Sequence, residues 1–199
     1  LLLGLQPVTT DLYLPALPDL SQELGASMGQ TQLTLSALLL AFGISQLVWG
    51  PLSDRFGRRP ILLVGMLAYV VASIGSALSP NIATLVVWRI LQGVAMGAGV
   101  MAARAVVRDL YAPVQGANVM SQALTGLGII ACTCVPIGGV LTDWLGRRVA
   151  LLSLATFGAL TFGLLLWRFE ETLAKPNPDA LQLRQLWLAN RDILRHPTF

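Results

Sequence analysis

Six long runs of apolar residues limit the folds open to this chain more than any other feature. They lie at about 1–17, 33–52, 60–79, 82–103, 119–141 and 149–167. Each has roughly the 20 residues that a helix needs to cross the hydrocarbon core of a bilayer. Only 12% of the residues are charged, whereas an ordinary soluble domain has about 25%. The sequence therefore predicts an all-α membrane protein, with residues 1–168 forming a six-helix transmembrane bundle in contact with the lipid bilayer.

A ten-residue phrase occurs twice in the chain. The first copy, GPLSDRFGRR, covers residues 50–59, and the second, GVLTDWLGRR, covers residues 139–148. Three predicted spans separate the copies, and an odd number of spans places them on opposite sides of the membrane. This pattern indicates two inverted three-helix repeats. Such repeats are typical of secondary transporters, whose substrate site lies between repeats near the bilayer midplane.

The basic residues predict the orientation, because cytoplasmic loops carry an excess of Lys and Arg. Ten of the thirteen lie on one predicted side: Arg55, Arg58, Arg59, Arg104, Arg108, Arg168, Lys175, Arg184, Arg191 and Arg195. That side is expected to be the cytoplasm. Arg147 and Arg148, in the second copy of the phrase, fall on the other side. The net charge of +3 is interpreted as this topological bias, with no nucleic acid as partner.

The composition changes after the sixth span. Residues 169–199 include the helix-breaking run KPNPD at 175–179. Residues 180–195 then place apolar and basic side chains at approximately helical spacing. This segment is predicted to be a cytoplasmic linker whose helix lies on the membrane surface, or alternatively an ordinary solvated linker helix. The chain starts with Leu and stops without a seventh span, so it is interpreted as the first half of a larger protein.

Two charged residues fall within predicted spans, Asp11 in the first and Arg89 in the fourth. Charges at that depth are costly and suggest a functional site with a partner. A pair between them, released when Asp11 takes up a proton, is the functional interpretation. Gln92 would share the face of Arg89. Two alternatives stay open: Asp11 is a hydrated helix end, or Arg89 belongs to a fixed structural contact.

Small residues in the fourth and fifth spans predict close helix packing. The candidates are Gly93, Gly97, Pro136, Gly138 and Gly139. Cys132 and Cys134 lie in the fifth span without His or acidic neighbours. They are expected to be small buried residues, and no metal site is predicted.

The loop phrase GPLSDRFGRRP at 50–60 resembles the signature between helices two and three of the major facilitator superfamily. Further segments resemble its bicyclomycin-resistance (Bcr/CflA) branch of drug:proton antiporters: DLYLPALP at 11–18, QLVWG at 46–50, RILQG at 89–93 and RAVVRDLY at 104–111. Members have twelve helices in two halves. The resemblance therefore implies that this chain is the N-terminal six-helix half and that the C-terminal half is its partner.

The resemblance also implies roles for individual residues. Proton coupling or substrate contact would involve Asp11, Tyr13, Arg89 and Gln92. A gate at the cytoplasmic end would be formed by Gly50, Asp54, Arg55, Gly57, Arg58, Arg59 and Asp109. In that gate, Arg58 would pair with Asp109, and Asp54 would act against the C-terminal half. The antiporter signature of helix five is shortened here to Pro136-Ile-Gly138-Gly139.

These features predict a proton-coupled exporter of small amphipathic compounds in the bacterial inner membrane. It would work by alternating access, driven by the proton gradient without a bound cofactor. The sequence contains no nucleotide-binding loop and no hydrolytic triad spacing, so no enzymatic activity is expected. Alternatives are a facilitator or symporter for a polar metabolite, or a membrane sensor or assembly subunit that does not transport.

Overall fold

A computed structural model describes residues 1–173 of the chain, and all of its regular structure is helical. Five long helices follow one another with short turns: α3 (Met28–Phe56), α4 (Arg58–Ala77), α5 (Ile82–Leu110), α6 (Pro113–Leu145) and α7 (Arg147–Arg168). In the described part, these five are long and apolar enough to cross a membrane. The predicted amphipathic helix at 180–195 lies outside the described residues.

The first predicted span is an interrupted N-terminal segment. Two short α-helices, α1 (Leu5–Asp11) and α2 (Leu17–Glu23), alternate with 3-10 turns at Leu2–Gly4 and Leu14–Ala16. Three prolines account for the breaks, since Pro7, Pro15 and Pro18 each lie in the first turn of one piece. Proline is tolerated there because the missing N–H would have no helical partner. The helical path continues to Glu23, beyond the apolar run that ends near residue 17.

Three of the helices are longer than a bilayer requires. α6 has 33 residues, and α3 and α5 have 29 each, which correspond to about 50 and 43 Å at 1.5 Å per residue. The hydrocarbon core is only about 30 Å thick. The apolar runs at 119–141, 33–52 and 82–103 therefore mark the parts that can lie in lipid, and the helices continue past them at one or both ends.

Helix contacts follow the internal duplication. Treating the N-terminal segment, α3 and α4 as one repeat and α5, α6 and α7 as the other, α3 packs on α5 and α6 packs on α1. Helix α4 packs on α7, its counterpart in the other repeat. Within each repeat the second and third helices also pack together, α3 on α4 and α6 on α7. Exchanging the two repeats leaves these contacts unchanged, whereas the extensive packing of α4 on α5 has only a small counterpart between α7 and α1. The bundle is therefore two inverted three-helix repeats, as the duplicated phrase predicts.

The duplicated phrase forms the same turn in both repeats. Gly57 links α3 to α4 with φ 99° and ψ 161°, and Gly146 links α6 to α7 with φ 80° and ψ 165°. This backbone conformation is essentially confined to glycine. One residue therefore suffices to end a helix and start the next, and the arginine that follows each glycine begins the new helix.

The interior consists of two apolar clusters. One contains Tyr13, Leu20, Leu85 and Leu154, and the other contains Leu62, Met66, Tyr69 and Met96. Helices α3 and α6 bury few of their residues, so most of their apolar side chains lie on the outside of the bundle. In a membrane protein such surfaces are covered by lipid or by further protein.

Candidate functional site

A buried polar cluster lies between the N-terminal segment, α4 and α5. Arg89 and Gln92 are both 0% exposed and lie one turn apart on α5. Arg89 Nη1 donates to Gln92 Oε1 at 3.0 Å, and Gln92 Nε2 donates to Ser73 Oγ of α4 at 2.7 Å. The chain of hydrogen bonds fixes the side chain of Gln92 and aligns one nitrogen of the guanidinium.

The guanidinium of Arg89 stacks on an aromatic ring. Its central carbon lies 3.6 Å from the ring centroid of Tyr13, and Tyr13 is itself held by a 2.7 Å hydrogen bond between its hydroxyl and Thr34 Oγ1 of α3. A desolvated cation–π contact of this kind stabilises by about 2 kcal/mol. The ring of Tyr13 therefore stabilises the buried positive charge of Arg89.

The hydrogen-bonding capacity of Arg89 is only partly used. Within residues 1–173, its Nε and Nη2 are buried and have no hydrogen-bond partner, and no carboxylate lies within 4.0 Å of it. A buried donor without a partner costs about 1–3 kcal/mol. The cluster therefore contains a buried cation, two of whose donor groups have no acceptor among residues 1–173.

Asp11 does not pair with Arg89 in this structure. Asp11 ends α1, is partly exposed, and accepts a 2.8 Å hydrogen bond from Thr10 Oγ1. Tyr13, two residues later, takes the position beside Arg89 instead. Residues two apart in a helical turn point in different directions, so Asp11 and Tyr13 cannot both face the guanidinium. The pair predicted between Asp11 and Arg89 is therefore not formed in this structure.

A second polar site joins α3, α4 and α5 at one end of the bundle. Arg58, which begins α4, is only 2% exposed. Its Nε lies 2.9 Å from Asp109 Oδ2 near the end of α5, and its Nη1 lies 2.7 Å from Asp54 Oδ1 and 2.9 Å from Ser53 Oγ at the end of α3. The structure thus brings together Arg58 and Asp109, the two residues of the predicted gate that were expected to pair, and it adds Ser53. One arginine fastens three helix ends.

The other residues of the predicted gate lie around this arginine. Gly50 is buried, and a Cβ there would lie 3.3 Å from Met101 Cε of α5. Arg55 and Arg59 are exposed, and the guanidinium of Arg55 lies over the Phe56 ring at 5.4 Å. Asp54 is 42% exposed and also lies 3.9 Å from Arg108. Part of the Asp54 side chain is therefore accessible at this end of the bundle.

Glu171 is part of the same site. Its carboxylate accepts hydrogen bonds from the backbone N–H groups of Arg58 (2.8 Å) and Arg59 (3.0 Å) at the start of α4. It also accepts from the backbone of Thr172 and Leu173. Burial alone would raise the pKa of Glu171, but these four donors outweigh it and hold the pKa below the ordinary value for a glutamate. The residue ties the chain beyond α7 to the start of α4.

The second copy of the phrase also holds a buried arginine. Arg147 begins α7, is 4% exposed, and its Nε donates to the carboxylate of Glu23 at the end of α2. Asp143, the counterpart of Asp54, is exposed and forms no ion pair with Arg147 within the described chain. In the second copy the arginine therefore still binds an acidic residue. The ion pair within the phrase, which joins Asp54 to Arg58 in the first copy, has no equivalent between Asp143 and Arg147.

The predicted packing residues differ in their surroundings. A Cβ on Gly93 would meet the Leu38 carbonyl oxygen of α3, and one on Gly97 would meet Ser45 Oγ. In α6, a Cβ on Gly138 would meet the Leu12 carbonyl oxygen. Nothing lies within 4 Å of the corresponding position on Gly139, and Pro136 is exposed inside α6. Three of the glycines thus lie at close helix crossings, and the other two residues face outward.

Several residues of these sites could not be predicted from the sequence. Glu171 acts on backbone groups more than a hundred positions earlier, which no spacing rule reveals. Ser73 and Tyr69 of α4 look like ordinary residues of an apolar span, although Tyr69 hydroxyl lies 2.7 Å from Thr9 Oγ1 and Ser73 anchors Gln92. The expected burial of both cysteines is wrong for one of them, because Cys132 is exposed while Cys134 is buried. Residues two apart on a helix point in different directions, so Cys132 lies on the outer face of α6 when Cys134 faces the interior.

Comparison with known proteins places these sites in context. Residues 1–199 match the family described as Major Facilitator Superfamily. The chain is 40% identical to a chloramphenicol resistance protein of Pseudomonas aeruginosa over 89% of this chain and 42% of that protein. It is 33% identical to multidrug resistance protein D of Escherichia coli K12 over 85% of this chain and 43% of that protein. The chain thus spans less than half the length of these curated relatives.

A solved structure shares the fold. The crystal structure of the human organic anion transporter MFSD10 (TETRAN) matches with a TM-score of 0.70 at 22% identity, over 93% of this chain and 50% of that one. The predicted family and its drug-resistance branch are confirmed by these matches, and so is the predicted fold of one six-helix half.

Proposed function

The chain belongs to the major facilitator superfamily, a family of transporters rather than enzymes, and from this premise we propose that its full-length form is a proton-coupled exporter. It would carry small amphipathic compounds out across the bacterial inner membrane by alternating access. The names of its relatives, which describe resistance to chloramphenicol and to multiple drugs, support export of such compounds. A C-terminal half and a substrate are the proposed partners, with residues 169–199 as the cytoplasmic connection.

The observation that carries the proposal is the incomplete pairing of Arg89. Arg89 is fully buried, and among residues 1–173 its Nε and Nη2 have no hydrogen-bond partner. A carboxylate brought within hydrogen-bond distance would pair with this charge and remove the cost of leaving it unpaired. Asp11 is placed on the same N-terminal segment as Tyr13, so a rotation of that segment would exchange the ring for the carboxylate. Alternating access supplies two arrangements, and protonation of Asp11 would decide between them.

The proton cycle follows from this exchange. With Asp11 ionised, pairing with Arg89 is favourable because the site excludes water. With Asp11 protonated, the carboxyl group is neutral, the attraction is lost, and Tyr13 keeps its place on Arg89. The proton gradient would drive the change in one direction, and binding of a substrate would favour the other. No bound cofactor takes part in this cycle.

The test uses the full-length parent protein in inverted membrane vesicles, with uptake of chloramphenicol driven by an imposed pH gradient. Asp11→Asn, which resembles the protonated carboxyl group permanently, should reduce pH-driven uptake by at least about a hundredfold, as expected for loss of an essential proton carrier. Asp19→Asn is the matched control, because Asp19 lies in α2 of the same segment and forms no ion pair within the described residues. It should transport normally.

The outcomes separate the candidate functions. Unchanged pH-driven uptake by Asp11→Asn would exclude Asp11 as the coupling residue. Movement of the compound in the same direction as protons would favour a symporter, and movement without any dependence on pH would favour a facilitator. Absence of all transport by the intact parent protein would favour a sensor or assembly subunit.

A further inference from the structure

Arg147 has a structural setting that topology alone does not explain. An arginine at the start of a membrane helix would ordinarily extend toward water, yet this side chain is 4% exposed and binds Glu23. The contact connects the last helix of the second repeat to the end of the N-terminal segment. It therefore fixes the position of the segment that carries Asp11 and Tyr13.

The two arginine contacts are reciprocal. Arg58, from the first repeat, binds Asp109 on the first helix of the second repeat. Arg147, from the second repeat, binds Glu23 on the first helical segment of the first repeat. Each repeat thus supplies the arginine for one contact and the acidic residue for the other.

The two contacts lie at opposite ends of the bundle. Three helices, α4, α5 and α6, run between the start of α4 and the start of α7. Because three crossings reverse the direction, Arg58 and Arg147 mark the two ends. An alternating-access transporter has to open each end in turn, and each end here has one buried arginine that connects helices from different repeats.

We propose that Arg147 and Glu23 form a second latch at the end opposite Arg58 and Asp109, which fastens the N-terminal segment to α7 and is released when that end of the transporter opens. This inference rests on the proposed alternating access. Glu23 is 53% exposed, and Nη1 of Arg147 has no partner among residues 1–173. Arg58 has three side-chain acceptors, so the second latch is the weaker of the two and opens more readily.

The experiment measures opening directly, through alkylation of a cysteine beneath the latch. Ala150 is 2% exposed and lies one turn after Arg147 on α7. Ala150→Cys is introduced into the full-length parent protein from which other cysteines have been removed. A membrane-impermeant maleimide is added from that side, and pH-driven chloramphenicol uptake is measured in parallel.

Glu23→Gln and Arg147→Gln should each raise the alkylation rate by roughly two- to fivefold, the range set by a partly exposed ion pair. The combined reversal Glu23→Arg with Arg147→Glu should bring the rate back to within about twofold of the unmodified latch. Asp143→Asn is the matched control, because Asp143 is an exposed acidic residue at the same end. It should leave the rate unchanged.

Two results would overturn the latch. One is an alkylation rate in Glu23→Gln equal to that of Asp143→Asn, and the other is a combined reversal no better than the worse single variant. Glu23→Gln is nearly isosteric and half exposed, so it keeps the test valid if Arg147 variants fail to fold. If the alkylation pattern holds but the parent protein shows no pH-driven uptake, the latch stands and the proposed function fails.

Discussion

Two charged residues make several contacts each at one end of this bundle. Arg58 fastens three helix ends, and the carboxylate of Glu171 covers the first turn of α4. The first N–H groups of a helix have no partner within the helix itself. Glu171 supplies that partner from a distant part of the chain and also complements the positive end of the helix dipole.

The lowered pKa of Glu171 predicts how stability depends on pH. Because the pKa in the folded state lies below the ordinary value, its contribution is fully present above the unfolded pKa of about 4.3. It is lost as the pH falls through the folded pKa. Glu171→Gln should therefore lower the unfolding temperature at pH 7 and narrow the difference from the parent protein at lower pH. The residue is exposed, so the difference should be about 1 kcal/mol or less.

Thermal unfolding in detergent from pH 7 down to about pH 3, which is below the ordinary glutamate pKa of about 4.3, measures this effect. Glu170→Gln serves as the control, since Glu170 is also exposed and accepts no hydrogen bond within residues 1–173. Equal effects of the two substitutions at every pH would show that Glu171 does not stabilise the start of α4.

Helices in this bundle approach one another where glycine replaces a larger side chain. At Gly138, the backbone of α6 comes so close to the Leu12 carbonyl of the N-terminal segment that a Cβ would collide with it. One residue later, Gly139 faces open space. Adjacent glycines on one helix thus have opposite roles, one required for packing and one not.

The contrast predicts opposite effects of alanine at the two positions. Gly138→Ala should destabilise the bundle by about 1–3 kcal/mol, because a backbone contact cannot move as a flexible side chain can. Gly139→Ala should be neutral or stabilise by about 0.5–1 kcal/mol, because alanine restricts the unfolded chain. Chemical unfolding in mixed micelles gives both values, and equal losses for the two variants would contradict the close approach at Gly138.

The helices could be predicted from the sequence more fully than the contacts between them. The lengths of the apolar runs predict the helices, and the duplicated phrase predicts their inverted order, because each of these signals can be read from the sequence itself. The N-terminal segment differs because three prolines break a run that composition alone treats as continuous. The orientation of Tyr13 toward Arg89, and of Asp11 away from it, could not be predicted, since it depends on where α1 ends within the turn. Glu171 and Glu23 could not be paired either, because their partners are distant in sequence.

For the whole molecule, the contact between Arg58 and Asp109 holds together helices from both repeats. Both side chains are largely buried, at 2% and 16% exposure. Without the Asp109 carboxylate, Arg58 keeps Asp54 and Ser53 as acceptors, so the loss is that of one charged hydrogen bond, about 1.5–3 kcal/mol. Asp109→Asn should therefore lower the free energy of unfolding by about 2 kcal/mol and slow transport by the full-length protein.

Charge exchange distinguishes pairing from general damage. Arg58→Glu and Asp109→Arg should each impair transport strongly, and together they should recover part of it, limited by the nearby Asp54. Arg108→Gln is the control, because Arg108 is 68% exposed and lies 3.9–4.0 Å from the acidic residues; it should change stability by less than about 0.5 kcal/mol. A combined variant no better than Asp109→Arg alone would exclude the pairing.

The reciprocal contacts also set an order for biosynthesis. Glu23 and Arg147 are 124 residues apart, and a ribosome adding about 5–20 residues per second separates their appearance by roughly 6 to 25 seconds. Throughout that interval Glu23 lacks the arginine that it binds in the folded bundle. The nascent first repeat therefore forms before this contact can hold its N-terminal segment, and α7 supplies the contact last.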